Sequence, residues 1–377
     1  PKYAKEELVA ELTAAMISHS MGFDSKVTDN SAAYLDSWIG TLKQEPKFIV
    51  SVMADVNKAS DLILDHVDKQ RLALGEQPYL AKNDPFTPLD AGEEVPFKNA
   101  AIVKTRSGDY AKTKDLMRPG HADYAANARY GGFQDYRGGG HFSGCLTAPL
   151  VFAGAIASQI LASQGVVIGS HILHLADVTD KGFSPLGEST ATLQALKGET
   201  LPVLDKEQAA KMEERIVAAK NDLDSVGGII ECMVTGLPIG LGDPFFDSLE
   251  SELSHMMFSI PAVKGIEFGD GFALAAMKGS AANDGMHWAE GKVETKTNHN
   301  GGILGGISGG NPVIFRLAIK PTASIGKPQL TVNLAERKDT LLTIGGRHDP
   351  CIIPRAIPVI ETAAALVILD EILVTSD

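Results

Sequence analysis

The sequence has few cysteines and a shortage of positive charge. Its three cysteines, Cys145, Cys232 and Cys351, are far apart and form no Cys-x-x-Cys pair. We therefore expect reduced thiols in a cytoplasmic protein, with neither a disulfide framework nor a metal site built on cysteine. Acidic residues outnumber basic ones by 47 to 34, which gives a formal net charge of −13. This excess disfavours non-specific binding to nucleic acid or to an acidic membrane.

Several catalytic signatures are also absent. The sequence contains no His-Glu-x-x-His helix, no P-loop and no ordered set of Ser, His and Asp. The glycine-rich string at 301–310 lacks the Gly-x-Gly-x-x-Gly spacing, and no acidic residue follows about 20 positions later. The most apolar run, near the C-terminus, is interrupted by Glu361, Asp370 and Glu371, so we expect no membrane span.

The residues suited to chemistry concentrate in the stretch 114–157. It begins with a rigid Arg118-Pro119-Gly120-His121 turn and reaches an arginine, three glycines and a histidine at 137–141. An apolar helix is predicted at 146–161. Glycines ahead of a helix let backbone N–H groups approach an anion, and the helix N-terminus adds positive potential. The pattern indicates a bound phosphate or another flat anionic ligand. The alternative is a flexible turn with surface histidines.

The first third of the chain has a different pattern. Helical periodicity predicts a helical block at 1–75, and a polar linker with prolines follows at 76–109. The strings YAKEELVAEL, NSAAYLDSWIGTLK and ASDLILDHV resemble the C-terminal part of the zincin-like metallopeptidase domain of ArdC-type antirestriction proteins. The histidine pair of that family is missing, and one carboxylate would hold zinc weakly. We therefore expect a helical appendage without a catalytic metal.

The remaining residues, 110–377, form strands and helices without a regular βαβ rhythm. Strands are predicted at 166–178 and 225–233, and helices at 243–258 and 359–373. The two histidines of the first strand are expected to be surface or strand residues and not ligands. This order favours an α+β layered fold over a doubly wound sheet.

Three long motifs resemble the chorismate synthase family. The first runs from RPGHADY through D-x-RGGG to HFSG, the second is TNHNGGILGGISGGNPVIFRLAIKPTAS at 297–324, and the third is GRHDPCIIPRAIPVIE at 346–361. They stand in the family's order, and the resemblance extends from about Tyr110 to about Leu373. It implies a β-α-β sandwich core within the α+β class, preceded here by the helical block.

The resemblance also implies a reaction and its cofactor. Chorismate synthases eliminate phosphate from 5-enolpyruvylshikimate 3-phosphate in an anti-1,4 sense to give chorismate, in the shikimate pathway that leads to aromatic amino acids. They use reduced FMN without net redox change. The implied protein is a cytoplasmic homotetrameric lyase whose partner is a small-molecule substrate, with no nucleic acid, membrane or metal involved.

By position, the resemblance assigns His121 and Asp349 to catalysis, His121 acting on the flavin and Asp349 aiding proton removal. Substrate carboxylates and phosphate would be bound by guanidinium groups, those of Arg118, Arg129, Arg137 and Arg355. The residues assigned to FMN are His141, Phe142, Ser143, Pro261, Ala262, Gly305, Lys320, Pro321, Thr322, Ala323, Ser324 and Arg347. From the residues alone, Asp349 could instead cap a turn before Pro350, and Lys320 could be an exposed strand end.

Two features depart from the family's pattern. The Gly-Glu-Ser-His-Gly motif, which would supply a second catalytic histidine, is absent from the sequence. Cys145 stands where related sequences have an arginine after HFSG. The missing histidine predicts weaker acid assistance to the departing phosphate. The cysteine predicts weaker binding of an anion. The leading hypothesis is an impaired chorismate synthase. The alternatives are an antirestriction or interaction protein, or an inactive chimaeric product that retains only flavin binding.

Overall fold

The computed structural model describes residues 113–134, 136, 142–289, 291–345 and 348–375. All of them lie within the unit Asp109–Asp377. The predicted helical block and linker, 1–109, lie outside the described residues, as do four predicted or candidate positions of the site region, Asp135, Arg137, His141 and Arg347.

The helices and strands follow one another without strict alternation. The helices are α1 (Asp123–Arg129), α2 (Thr147–Ser163), α3 (Thr190–Leu196), α4 (Lys206–Asn221), α5 (Leu249–Ser259), α6 (Gly279–Ala282) and α7 (Ile353–Thr375). The strands are β1 (Val167–Leu175), β2 (Val178–Thr179), β3 (Gly228–Thr235), β4 (Val263–Phe268), β5 (Met286–Ala289), β6 (Lys292–Thr295), β7 (Ile303–Leu304), β8 (Ile307–Ser308), β9 (Val313–Ile319), β10 (Gln329–Asn333) and β11 (Lys338–Leu342).

The central element is a five-stranded antiparallel sheet with the order β2-β1-β3-β9-β4. Its register places Ile172 opposite Ile230, and Ile230 opposite Leu317. All three side chains are fully buried and pack in one cluster with residues of α2 and α7. Because strand side chains alternate between faces, the residues between them point to the opposite side of the sheet.

That opposite face carries charged residues. His171 is paired with Glu231, Glu231 with Arg316, and Arg316 with Glu267, so the four lie in one row across β1, β3, β9 and β4. Beside them, Phe183 contacts the ring of His171 edge-on at 4.5 Å between centroids. His171 is a strand residue of β1, one of the two predicted possibilities, and it is fully buried.

Two long helices cover the apolar face. The apolar helix predicted at 146–161 corresponds to α2, Thr147–Ser163. The backbone of α2 lies against α7 at Gly154, where an added Cβ would be 2.3 Å from the Thr362 carbonyl oxygen. Among the described residues, Gly144–Ser163 is the one segment long and apolar enough to cross a membrane. Its residues Ala157 and Leu161 join the core cluster of the sheet and α7, and 22% of its most apolar 18-residue window is buried.

Some boundaries differ from those expected. The helix predicted at 243–258 begins only at Leu249, because Ser248 has extended backbone angles and its hydroxyl accepts a hydrogen bond from the Ser251 amide. Ser248 is therefore the N-cap. The last helix starts at Ile353, six residues before the predicted position, with Pro358 inside it. The α+β class itself is confirmed.

Candidate active site

Two segments meet at the C-terminal end of β9. The strand ends at Ile319, and the Lys320 amide then donates to the Ala262 carbonyl over 3.0 Å. The Ser225 hydroxyl donates to the Thr322 carbonyl over 2.6 Å. Residues 320–322 are thereby fixed beside Ala262, whose φ of +77° marks a turn just before β4.

The segment before α7 reaches the same edge of the sheet. The Val226 amide donates to the Pro350 carbonyl over 2.9 Å, and Val226 follows the Ser225 that binds Thr322. Asp349 is therefore brought within a short distance of the Lys320–Ser324 segment, although it lies 25 residues further along the chain.

The loop that carries His121 packs on this segment. Gly120 has a φ of +73°, and a Cβ added there would lie 2.9 Å from the Ala323 Cβ. The Lys320 Nζ donates to the Gly120 carbonyl over 2.5 Å. His121 Nε2 lies 2.8 Å from the Ser324 Oγ. Only glycine combines this backbone conformation with so close an approach, so the loop presents His121 in one position.

The electrostatic surroundings keep His121 neutral. Burial lowers its pKa, and the positive charges of Arg118 and Lys320 lower it further, against an opposing effect of Asp123, to about 4. At neutral pH the imidazole therefore carries one proton and can both donate and accept a hydrogen bond.

Arg118 is held by Asp123, the first residue of α1. The Arg118 Nε and Nη2 each donate to a different carboxylate oxygen over 2.7 Å, and the Arg118 amide donates over 3.1 Å. Burial would raise the pKa of Asp123, but the bonds from Arg118 outweigh it and the pKa is lowered. Within the described residues, the other three guanidinium N–H groups of Arg118 form no hydrogen bond.

Asp349 has two polar contacts with other described residues. Its Oδ1 accepts a hydrogen bond from the Cys351 amide over 3.2 Å, so it also stabilises the turn before α7, as the alternative reading predicted. The Arg355 Nη2 lies 2.8 Å from Oδ2, but Oδ2 is buried and accepts no aligned hydrogen bond among the described residues. Arg355 itself is 75% exposed and faces solvent.

A second polar atom of this edge lacks a partner. The Thr322 Oγ1 is buried and forms no hydrogen bond within the described part of the chain. Leaving a buried polar group unpaired costs about 1–3 kcal/mol. With Asp349 Oδ2, it leaves unused hydrogen-bonding capacity between the His121 loop and α7, which suits a polar ligand.

Comparison with known proteins identifies the family. The model of the family described as chorismate synthase matches residues 99–373, and the model of a zincin-like metallopeptidase matches residues 1–55. This chain belongs to the chorismate synthase family.

The similarity to individual chorismate synthases is extensive. The chain is 50% identical over 269 residues to the chorismate synthase of Chitinophaga pinensis, covering 71% of each chain. It is 46% identical over 268 residues to that of Pyrococcus abyssi, covering 71% of this chain and 73% of the relative. A crystal structure of chorismate synthase superposes with a TM-score of 0.56 at 26% identity, over 67% of this chain and 70% of that one.

Both predicted resemblances are confirmed. The chorismate synthase match begins at 99, about eleven residues before the predicted start, and ends at the predicted Leu373. The metallopeptidase match covers only 1–55 of the predicted helical block. Chorismate synthases are phosphate-lyases, so the chain is assigned to an enzyme family of that class.

The structure brings most of the predicted site residues of this chorismate synthase family member together. Lys320, Thr322, Ala323 and Ser324 contact the His121 loop or lie beside it, with Ala262 adjacent. Phe142 lines a small cleft, open to solvent, that Arg118 and Asp123 also line. Ser143 caps the turn before α2 by accepting from the Cys145 amide, and Arg129 is exposed in the last turn of α1.

Gly305 is not at this edge. It lies in the β7–β8 hairpin, and the neighbouring Gly301 carbonyl accepts from Ile314 at the start of β9. Lys320 follows the other end of β9, whose seven residues span about 20 Å at ~3.3 Å each. Within one chain, Gly305 and Lys320 are therefore on opposite ends of the sheet.

Sequence reasoning missed two residues of the site. Asp123, which binds Arg118, lies in the RPGHADY string and at the start of a helix, where an acidic residue is favoured. That position was the available signal. Ser225, which fixes Thr322, is 97 residues away from it along the chain and carries no comparable signal.

Proposed function

We propose that this chain catalyses the anti-1,4-elimination of phosphate from 5-enolpyruvylshikimate 3-phosphate to give chorismate, with reduced FMN as cofactor. The observation that carries the proposal is the meeting of His121, Lys320–Ser324 and Asp349 at one edge of the sheet. These residues come from three motifs separated by up to about 230 positions, and they converge on two buried oxygens without hydrogen-bond partners among the described residues.

The residues at this edge fit a flavin. Lys320 supplies a positive charge, and the Thr322 hydroxyl supplies an unpaired polar atom, as a polar ring or a phosphate requires. We propose that Ala262, Lys320–Ser324 and Phe142–Ser143 hold FMN, together with His141 and Arg347, which lie outside the described residues. Bound reduced FMN would supply transient electron density to the substrate without net redox change.

The chain's own residues divide the proton handling. His121, neutral because its pKa is about 4, donates a hydrogen bond from one ring nitrogen to a ligand acceptor. Asp349 Oδ2, which accepts no aligned hydrogen bond in the described part of the chain, receives a proton leaving the substrate. Arg118 has three N–H groups unpaired by the described residues, which we propose bind carboxylate or phosphate with help from Arg355, Arg129 and Arg137.

We also propose that turnover is reduced relative to the matched enzymes. The 377-residue sequence contains no Gly-Glu-Ser-His-Gly motif, and losing a positioned general acid costs about 10²–10⁴ in rate. Cys145 is exposed in the turn immediately before α2, where an arginine would add a cation next to the helix N-terminus. The small thiol supplies no such charge.

A homotetramer in the cytoplasm is proposed as the working form. A group of exposed apolar side chains supports self-association, because exposed apolar surface often marks an interaction site. Its side chains lie on the loops around the β7–β8 hairpin, where the Leu249 amide donates to the Gly306 carbonyl. Its members, with exposures from 48% to 90%, are Ile239, Phe245, Phe246 and Leu304.

The domain division is likewise a proposal. We assign 1–75 to a helical block, 76–109 to a linker and 110–377 to the chorismate synthase-like domain. The two family matches, 1–55 and 99–373, do not overlap and support this division. The match at 1–55 also supports one alternative function, antirestriction. In that case the intact chain would protect plasmid DNA from cleavage by a restriction enzyme.

Anaerobic turnover tests the main proposal. The full chain is mixed with reduced FMN and 5-enolpyruvylshikimate 3-phosphate, and chorismate is measured over time. We expect slow formation that is abolished in His121→Asn and retained in His287→Asn, which alters an exposed histidine of β5. Replacing 1–109 by a family segment with Gly-Glu-Ser-His-Gly should raise the rate. Complete absence of chorismate from both the chain and this graft would refute the proposal.

A further inference from the structure

We propose that Ser324 is a positioning residue that donates its hydroxyl proton to His121 Nε2 and so keeps the ring proton on Nδ1. The role of this tautomer in turnover rests on the proposed function. The tautomer itself is a property of the chain alone.

The contact is fixed from both sides. Ser324 Oγ and His121 Nε2 are 2.8 Å apart, although 203 positions separate them in sequence. On the loop side, the Gly120 carbonyl is held by Lys320, and the Gly120 backbone packs against Ala323. Lys320 and Ala323, which precede Ser324, therefore hold Gly120 in place. Because Gly120 precedes His121, the imidazole ring stays close to the Ser324 hydroxyl.

The direction of the hydrogen bond follows from the partners that each group has. The serine hydroxyl has one proton to donate, and within the described residues His121 Nε2 is its only hydrogen-bond partner. If Nε2–H donated instead, the hydroxyl proton would have no protein acceptor there. Since the imidazole is neutral, with a pKa lowered to about 4 by burial, Arg118 and Lys320, one nitrogen is free to accept. We take the arrangement in which Oγ–H donates to Nε2, because the one proton left without a described partner is then on the ring, where a ligand at this edge can accept it.

The proton then lies on Nδ1, and this atom is available. His121 Nδ1 forms no hydrogen bond with any described residue, and it is not one of the buried side-chain atoms that lack a partner. Within the described residues it is therefore left for a ligand. A ligand at this edge meets an N–H donor at His121, so the ligand atom facing it is an acceptor, such as a carbonyl oxygen or an anionic nitrogen.

Nitrogen NMR tests the tautomer directly. The full chain is labelled with ¹⁵N in histidine only, and long-range proton–nitrogen correlations are recorded without ligand near pH 7; His121→Gln identifies the signals. We expect wild type to show protonated Nδ1 and unprotonated Nε2. Ser324→Ala should shift at least about half of the population to the Nε2–H form, and Ser324→Thr should restore the wild-type pattern.

Ser163→Ala is the matched control, since it removes a serine hydroxyl bound to the Ile160 carbonyl at the end of α2. It should leave the His121 signals unchanged. A wild-type spectrum with the proton on Nε2 overturns the proposal without any variant, and so does an unchanged tautomer in Ser324→Ala.

Turnover gives a second readout. Loss of one neutral hydrogen bond predicts kcat about 3–10-fold lower in Ser324→Ala, with recovery in Ser324→Thr; equal kcat in wild type and Ser324→Ala counts against the positioning role. If neither wild type nor the graft that carries Gly-Glu-Ser-His-Gly forms chorismate, the proposed function fails, while the tautomer result still decides the present proposal.

Discussion

Lys320 reaches across 200 positions of sequence to donate its Nζ to the Gly120 carbonyl over 2.5 Å. The acceptor is a neutral backbone oxygen, so the lysine positive charge is not neutralised by this contact. Lysine is a flexible point charge that can exchange such a carbonyl for an anion. The same side chain therefore orders the His121 loop and offers a cation to a ligand.

Lys320→Ala should weaken FMN binding. A hydrogen bond to a charged group contributes about 1.5–3 kcal/mol, so we expect the Kd for FMN to rise about 10–100-fold. The measurement is quenching of FMN fluorescence on titration with protein. Lys292→Ala, which removes an exposed lysine of β6, should bind like wild type. Absence of saturable quenching by wild type at high micromolar FMN would contradict the proposed flavin site.

Gly120→Ala should disrupt the His121 loop through one contact. The added Cβ would lie 2.9 Å from the Ala323 Cβ at a φ of +73°. Gly131→Ala is a matched control, because its φ is +59° and no atom lies within 4 Å of an added Cβ. We expect a loss of turnover of at least about tenfold in Gly120→Ala beyond that in Gly131→Ala. Equal effects would show that backbone strain, and not the contact with Ala323, matters.

Cys145→Arg should improve binding more than rate. The new guanidinium would stand immediately before α2, where it can hold an anionic group of the substrate. We expect KM for the substrate to fall several-fold with kcat changed less than about twofold. Cys145→Ala, which removes the thiol without adding charge, should match wild type. A rise in kcat alone would place this position in the chemical step.

Local patterns predicted the elements whose determinants lie close together in sequence. The α2 helix was predicted within two residues of its ends because its apolar run and the preceding turn are contiguous. The start of α5 was predicted six residues too early, since Pro244 and the cap formed by Ser248 override the apolar periodicity. The site motifs were recognised by resemblance. Their convergence, including the Ser225–Thr322 bond, depends on strand pairing that no local pattern encodes.

The burial of His171 likewise could not be predicted from the sequence of its own strand, because its partners come from other parts of the chain. Its Nε2 lies 2.9 Å from Glu231 Oε2 and its Nδ1 lies 3.3 Å from Asp180 Oδ2. Burial would lower the pKa of His171, but the two carboxylates outweigh it and raise the pKa. His171→Gln leaves two acids facing a neutral amide. We expect a loss of about 2–4 kcal/mol in the free energy of opening, measured by hydrogen exchange of β1 and β3.

The pH dependence of the hydrogen-exchange protection of β1 and β3 follows from the pKa shifts of His171 and its two acidic partners. With a raised folded pKa, His171 stabilises fully below its ordinary pKa of 6.5, and the effect is lost as pH rises through the folded value. The pKa values of Asp180 and Glu231 are lowered, so their contribution is lost as pH falls below about 4. Protection should be greatest near pH 5–6.5. His174→Gln, a change in the same strand, should keep this profile; its loss there would contradict the assignment to His171.

Glu361→Gln should remove a second pH dependence of the free energy of unfolding. Glu361 is buried within α7, and burial raises its pKa to about 7 despite Lys197 at 3.8 Å. The folded state retains a proton that the unfolded state releases, so stability falls as pH rises from about 4.5 to 7. We expect the variant to equal wild type near pH 4 and to exceed it by about 2–3 kcal/mol near pH 8. Glu213→Gln, on the exposed side of α4, should keep the wild-type stability at both pH values. Equal stability of wild type and Glu361→Gln near pH 8 would contradict the raised pKa of Glu361.

The row of His171, Glu231, Arg316 and Glu267 has a consequence for the order of folding. Its hydrogen-bonded members are separated by 60, 85 and 49 positions along the chain. Closing loops of that length precedes any gain from the contacts, which slows the pairing of such strands. During synthesis the row has no complete set of members until Arg316 has emerged from the ribosome. The carboxylates of Glu231 and Glu267 therefore gain their shared arginine only when β9 enters between β3 and β4.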